Sequence, residues 1–188
     1  MEFELQPHLI GELVELRPLR ADDFDALYAV ASDPLIWEVH PEPDRYKEDI
    51  FRRFFATATE SGGAFLVIDR KTSDVIGSSR YSHLDPVRSE IEIGWTFLAR
   101  KYWGGRYNQE MKRLMLEHAF KFVDRVVFLV GPQNFRSRRA VEKIGGMERG
   151  RRIVDGRESV VYEITAERFI VGPLTAAREA QTQRAVRE

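Results

Sequence analysis

The chain has no cysteine among its 188 residues. That excludes disulfides, thiolate metal ligands and any thiol nucleophile. Charge of one sign is also missing: 29 Lys and Arg face 30 Asp and Glu, a formal net charge of -1. No overall field therefore draws the chain to nucleic acid or to a membrane surface, and neither is expected as a partner. No run of about 18 apolar residues occurs, so no segment reads as spanning a bilayer. Met1 to Gly11 carries acids and lacks the basic region and apolar core of a signal peptide, and a cytoplasmic location follows as the expectation. The four histidines, His8, His40, His83 and His118, are isolated in sequence, so no metal is expected. A P-loop, a dinucleotide-binding glycine fingerprint after the first strand, a nucleophile elbow and an H-E-x-x-H helix are all absent.

What is present suits one domain, with 43% hydrophobic residues to fill a core. "ELVELRPL" (12–19) alternates as a half-buried strand, and "RADDF" opens a helix that Asp33-Pro34 ends. "IWEVHPEPDRY" (36–46) reads as a loop, and 47–59 as a second helix. Strands follow at 64–69 and 75–83 around a polar turn. "SEIEIGWTFL" (89–98) alternates strictly: Glu90, Glu92, Gly94 and Thr96 point one way, and Ile91, Ile93, Trp95 and Phe97 the other. From Gln109 the pattern is helical, "VVFLV" (126–130) is a buried strand, and a further helix ends at Ile144 with Gly145 as its cap. "RGRRIVDGRESVVYEI" (149–164) is a hairpin about an Asp-Gly turn. The order β-α-α-β-β-β-α-β-α-β-β fits residues 11–171. Residues 1–10 form an N-terminal extension, and 172–188, poor in large apolar residues, a C-terminal tail.

The chemistry concentrates in "RKYWGGRYNQEMK" (100–112), where two glycines, three aromatics and four cations meet the start of a helix. A helix N-terminus offers unpaired amides and partial positive charge, and glycines let a ligand reach the backbone. Such a stretch is either a surface loop with its cap or a cradle for an anionic cofactor. The chain's two asparagines, Asn108 and Asn134, both fall at loop-to-helix junctions, where asparagine is a strong cap. Around Asn108 stand Arg100, Lys101 and Arg106, which a pyrophosphate could use and a cap does not need.

Together, "EIGWTFLARKYWGGRYNQEMKRLML" and "NFRSRRAVEKIGG" resemble the cofactor half of the GNAT N-acetyltransferases, and most of all the branch of RimJ/RimL-type ribosomal-protein N-terminal acetyltransferases. The first strand, "VIG" at 75–77 and the closing hairpin match in order, so the resemblance covers roughly 11–165. It implies an α/β fold: a mostly antiparallel sheet of about seven strands flanked by four helices, the fourth strand bulged and splayed from the fifth. It implies acetyl-CoA as co-substrate, with pantetheine in the splay and pyrophosphate on the loop before the third helix. The positions carried over for the cofactor are Phe97, Leu98, Trp103, Gly104, Gly105, Arg106, Tyr107, Asn108, Asn134 and Ser137.

The sequence departs from the family at informative points. Arg106 and Asn108 stand where the phosphate loop carries small residues. Val141 replaces the common acidic tyrosine, and Leu129 the glutamate that a related branch uses on the fifth strand. Ser137 matches the serine that the RimL type uses to protonate the leaving thiolate. Glu90 and Glu92 are the candidate bases, unless they form only a solvated strand face; a carboxylate can take the proton of an amine that is otherwise charged at neutral pH. A backbone amide near Phe97 or Leu98 would hold the oxyanion.

The implied activity is direct acetyl transfer to a primary amine, either a protein N-terminus or a small amine such as a polyamine or antibiotic. The alternative is a non-catalytic acyl-CoA-binding module. Acceptor recognition falls to the 36–46 loop, with Trp37, His40 and Glu42, and to the hairpin. The acids Glu38, Glu42 and Asp44 suit a cationic amine. Oligomeric state stays open between monomer and homodimer.

Overall fold

In the computed structural model, which describes residues 2–154 and 156–175, the chain forms one eight-stranded sheet with helices on both faces. Chain order runs β1 (Leu9–Ile10), β2 (Val14–Pro18), α1 (Phe24–Ala31), α2 (Glu48–Glu60), β3 (Ala64–Asp69), β4 (Val75–Asp85), β5 (Glu90–Leu98), α3 (Arg106–Ala119), β6 (Arg125–Val130), α4 (Phe135–Lys143), β7 (Met147–Val154), β8 (Arg157–Thr165) and α5 (Ala166–Ile170). Neighbours in the sheet are β1-β2-β3-β4-β5-β6-β8-β7, antiparallel everywhere except the parallel β5–β6 pair. The expected mixed α/β architecture holds, with one strand and one helix more than expected.

The extra strand lies in the segment read as an extension. Leu9 pairs with Leu16, Phe3 is buried edge-on to Tyr81, and the Gln6 amide donates to the Ala64 carbonyl. Two residues are too few for alternation to register in the sequence. At the other end Leu174 is buried in the core. Residues 176–188 of the expected tail and Asp155 of the hairpin turn lie outside the described residues; Gly156 beside it takes φ +73°.

The sheet separates two cores. One holds Ile91, Ile93 and Leu98 of β5 with Met111 and Met115 of α3; the other holds Phe97 with Phe51, Phe54 and Trp37. Ile93 and Phe97 therefore face opposite ways, against the strict alternation expected. The cause is a bulge. Arg80 pairs with Gly94 and Ser78 with Phe97, so Trp95 and Thr96 stand opposite Ser79 alone, and Trp95 takes φ +51°. One extra residue flips every side chain beyond it. Gly77 faces the far end of the bulge, where a built Cβ would lie 2.0 Å from the Phe97 carbonyl oxygen; only glycine fits there.

β5 and β6 pair over just three rungs, Glu90–Arg125, Ile91–Val126 and Glu92–Val127. Beyond them the strands part.

Candidate active site

The parted strands open onto a cavity of about 540 Å³, lined by Ile93 to Leu98 on one side and Phe128 to Gly131 on the other. Gly104, Gly105 and Asn108 at the start of α3, Asn134 and Ser137 at the start of α4 and Val141 near its end line it too, as do Trp37, His40 and Trp103. Most of the expected site residues are thus brought to one place. No aspartate or glutamate is among the lining residues.

Helix α3 begins at Arg106, three residues earlier than its apolar spacing indicated, because Gly104 at φ +71° turns the chain and extended Gly105 precedes the first helical residue. Asn108 is accordingly the third residue of α3 and not its cap. No side chain caps this helix; a Cβ at Gly104 would find open space and one at Gly105 only the Trp103 carbonyl oxygen at 3.8 Å, so no side chain crowds the approach to the first amides. The cations divide differently from expectation. Arg100 is held by Asp33 at 2.5 Å, and Lys101 lies 3.7 Å from Asp74. Arg106 is left exposed at the rim and does not line the cavity. Tyr107 turns away, its hydroxyl reaching the same Asp69 oxygen (3.3 Å) that Tyr102 binds at 2.9 Å. Trp103 donates to the Leu98 carbonyl at 2.8 Å and carries the Arg136 guanidinium 4.0 Å above its ring.

Asn134 is a true cap: buried, it accepts from the Ser137 amide at 3.1 Å. Ser137 therefore sits in the first turn of α4, half-buried, facing the cavity.

Neither glutamate lines the cavity. Glu90 sits half-exposed where β5 starts, paired with Asp85 and Arg125. Glu92 is buried, 2.7 Å from His83 Nδ1, and its carboxylate lies just behind cavity-lining Gly94, 2.9 Å from where a Cβ would stand. Burial raises its pKa, while the His83 hydrogen bond and the nearby Arg152 and Arg80 pull it down.

The 36–46 loop crosses the open end of the splay. Arg136 donates to the Ile36 carbonyl at 2.7 Å, Pro41 packs where a Cβ on Gly131 would lie, and Glu42 pairs with Arg157 of the hairpin. Trp37 is buried, its indole N–H on the Ala31 carbonyl at 2.7 Å. Burial, with Arg45, Arg136 and Arg157 nearby, holds the His40 pKa down to about 3, so its ring is neutral. Two of the loop's three acids are engaged elsewhere: Glu42 serves Arg157, and Asp44 serves Lys47 at 2.9 Å, while Glu38 is exposed.

Of the lining residues not singled out in the sequence, one is unusual. Lys112 of α3 is buried, donating to Thr96 Oγ1 at 2.5 Å and Ser79 Oγ at 3.1 Å, and burial lowers its pKa to about 7. Its place in the apolar stripe beside Met111 and Met115 was the available signal. Among the described residues no group of three or more His, Asp or Glu could hold a metal, and no helix is long and apolar enough to cross a membrane.

This geometry has relatives. Residues 14–147 match the family model described as an acetyltransferase (GNAT) domain. An uncharacterized N-acetyltransferase, p20, of Bacillus licheniformis is 24% identical over 149 residues, covering 76% of this chain and 83% of the relative. A GCN5-related N-acetyltransferase from Brucella melitensis superposes with a TM-score of 0.80 at 24% identity, covering 93% of this chain and 85% of that one. RimJ of Mycobacterium smegmatis, solved in complex with CoA-disulfide, superposes at 0.67 with 21% identity and 89% of both chains. The bulged strand, the splay beside it and the family match over most of the chain lead to one conclusion: the protein belongs to the GNAT acetyltransferases and is an acyltransferase.

Proposed function

We propose that the protein transfers acetyl from acetyl-CoA directly to a primary amine, of a protein N-terminus or a small molecule. The observation that carries this reading is the cavity between β5 and β6, which is open to backbone amides at one end and free of carboxylates along its lining. That chemistry fits an anionic, partly peptide-like cofactor. Acetyl-CoA would lie with its pyrophosphate on the first amides of α3 at Gly104 to Asn108, with Arg106 at the rim. Its pantetheine arm would run along the part of β5 that β6 leaves unpaired, with Phe97 and Leu98 beside the thioester.

The bound thioester supplies the acetyl group: the amine nitrogen bonds to its carbonyl carbon, the C–S bond breaks, and the thiol leaves. The chain's part is positioning and proton transfer. A backbone amide near Phe97 or Leu98 holds the carbonyl oxygen. Ser137, in the first turn of α4 where the helix dipole favours negative charge, gives its proton to sulfur. Glu92 takes the proton of the amine through water. Its position behind Gly94 and its raised pKa support it over the half-exposed Glu90. Trp37 and His40 present the acceptor, and Glu42 holds their loop through Arg157.

The test is release of CoA thiol from acetyl-CoA in the presence of amines: N-terminal peptides, polyamines and aminoglycosides. Release with at least one class is expected. CoA binding with no release from any of them would leave the acyl-CoA-binding module as the better reading.

A further inference from the structure

Two guanidiniums pack behind aromatic residues that line the cavity, neither lining it itself and neither in direct contact with a carboxylate among the described residues. Arg80 of β4 is 5% exposed, and its Nε and Nη2 have no hydrogen-bond partner among the described residues. It lies 4.7 Å from the Trp95 ring and 5.7 Å from Phe54. Arg45 lies 4.5 Å from the same Phe54 and 5.1 Å from Trp37, and its Nη1 is 3.3 Å from His40 Nε2. Trp37, His40 and Trp95 line the cavity. The carboxylates that act on them are shared: Glu92, near Arg80, is hydrogen-bonded to His83, and Glu42, near Arg45, is paired with Arg157.

Burying an unpaired cation costs several kcal/mol, and aromatic faces return only part of that. Both arginines remain charged at neutral pH, since burial lowers each only to about 10. A site that keeps the buried, half-satisfied Arg80 and the half-buried Arg45 beside a cavity with no carboxylate in its lining disfavours a polyamine and favours an anion. From this arrangement we infer that the acceptor amine carries an oxyanion, a carboxylate or a phosphate, which Arg80 and Arg45 bind while the amine faces the thioester. The inference rests on the acetyltransfer reading above and gives it a substrate class. It also reverses the suggestion made by the loop's acidic composition, because Glu42 and Asp44 pair with neighbouring cations.

The test is calorimetric titration of the CoA-saturated protein, at constant ionic strength, with three aliphatic amines of similar length: γ-aminobutyrate, aminopropyl phosphate and putrescine. One or both anionic amines should bind more tightly than putrescine, and which of them does names carboxylate or phosphate. Arg80→Gln and Arg45→Gln should each weaken that ligand about 10–100-fold, as loss of a charge-assisted contact implies. CoA affinity, unchanged in both variants, reports that they are folded. Putrescine binding as tightly as the anionic amines, no binding by any of the three, or a preference that survives both substitutions overturns the inference. Thiol release with neutral or cationic amines alone would overturn it while leaving acetyl transfer intact. Binding of anionic amines without thiol release from any amine would do the reverse.

Discussion

Lys112 of α3 donates to Thr96 Oγ1 at 2.5 Å, fastening a buried helix lysine to the residue that follows the left-handed Trp95 in the bulge. A cation with only hydroxyl partners in a core is unfavourable, and its pKa of about 7 reflects this. In the unfolded chain the same amine titrates near 10.4, so the unfolded state binds more protons between the two values. Stability should therefore rise as pH rises from about 7 to about 10, by about 3–5 kcal/mol at most, and be lowest below 7 where both states are protonated. Urea unfolding at pH 7 and 9.5 should show this slope in the wild type and its loss in Lys112→Met. Equal slopes would mean that the lysine reaches water.

Ser137→Ala should lower kcat roughly 10–10³-fold with little change in acetyl-CoA affinity, because the hydroxyl matters only once charge forms on sulfur. Asn134→Ala acts differently. It removes the cap accepted from the Ser137 amide and should cost about 1 kcal/mol of stability together with some activity. If Ser137→Ala loses binding in proportion to rate, the serine is a cofactor contact and not an acid.

Glu92→Gln should lower kcat/KM about 10²–10⁴-fold at neutral pH and recover partly at high pH, where the amine deprotonates unaided. Burial raises the Glu92 pKa, so the acidic limb of the pH–rate profile should lie above the ordinary carboxylate range. His83 lowers that pKa by its hydrogen bond, and His83→Gln should therefore move the limb to higher pH. Glu90→Gln is the comparison: an equal loss there would reassign the base.

Arg106→Glu should weaken acetyl-CoA binding by about 1–3 kcal/mol at low salt. Gly104→Ala should weaken it too, because φ +71° strains any Cβ by about 1 kcal/mol although the space around it is open. Arg100→Ala should leave affinity nearly unchanged, its guanidinium being held by Asp33. Calorimetry on the three variants separates these outcomes; a large loss only in Arg100→Ala would relocate the phosphate site.

Much of this was legible in the sequence because local rules and tertiary outcome agree. The alternation of β5, the two glycines before α3, Asn134 ahead of Ser137, and Gly145 after α4 (φ +99°) each mark their element by its own chemistry. What was not legible depends on contacts far apart in the chain. The bulge at Trp95 was implied by the family resemblance but is invisible in the alternating string itself, since it is defined against Ser79 on another strand. Arg100 and Lys101 looked available until Asp33 and Asp74 came beside them. Arg80 looked like one more strand cation, and only its burial against Trp95 and Phe54 makes it unusual.

The three-rung junction of β5 and β6 has a consequence for the protein without its cofactor. Beyond Glu92 the strand presents a ladder edge inside the molecule, as open to hydrogen bonding as the rim of an unprotected sheet. Such edges recruit other chains. The 36–46 loop crosses only its open end, so along the rest a linear amide-bearing ligand is its natural complement. Cofactor would then be a folding partner as well as a reactant: at a hundredfold excess over Kd it adds about 2.7 kcal/mol to stability. Chains made when CoA is scarce would be those most prone to self-association.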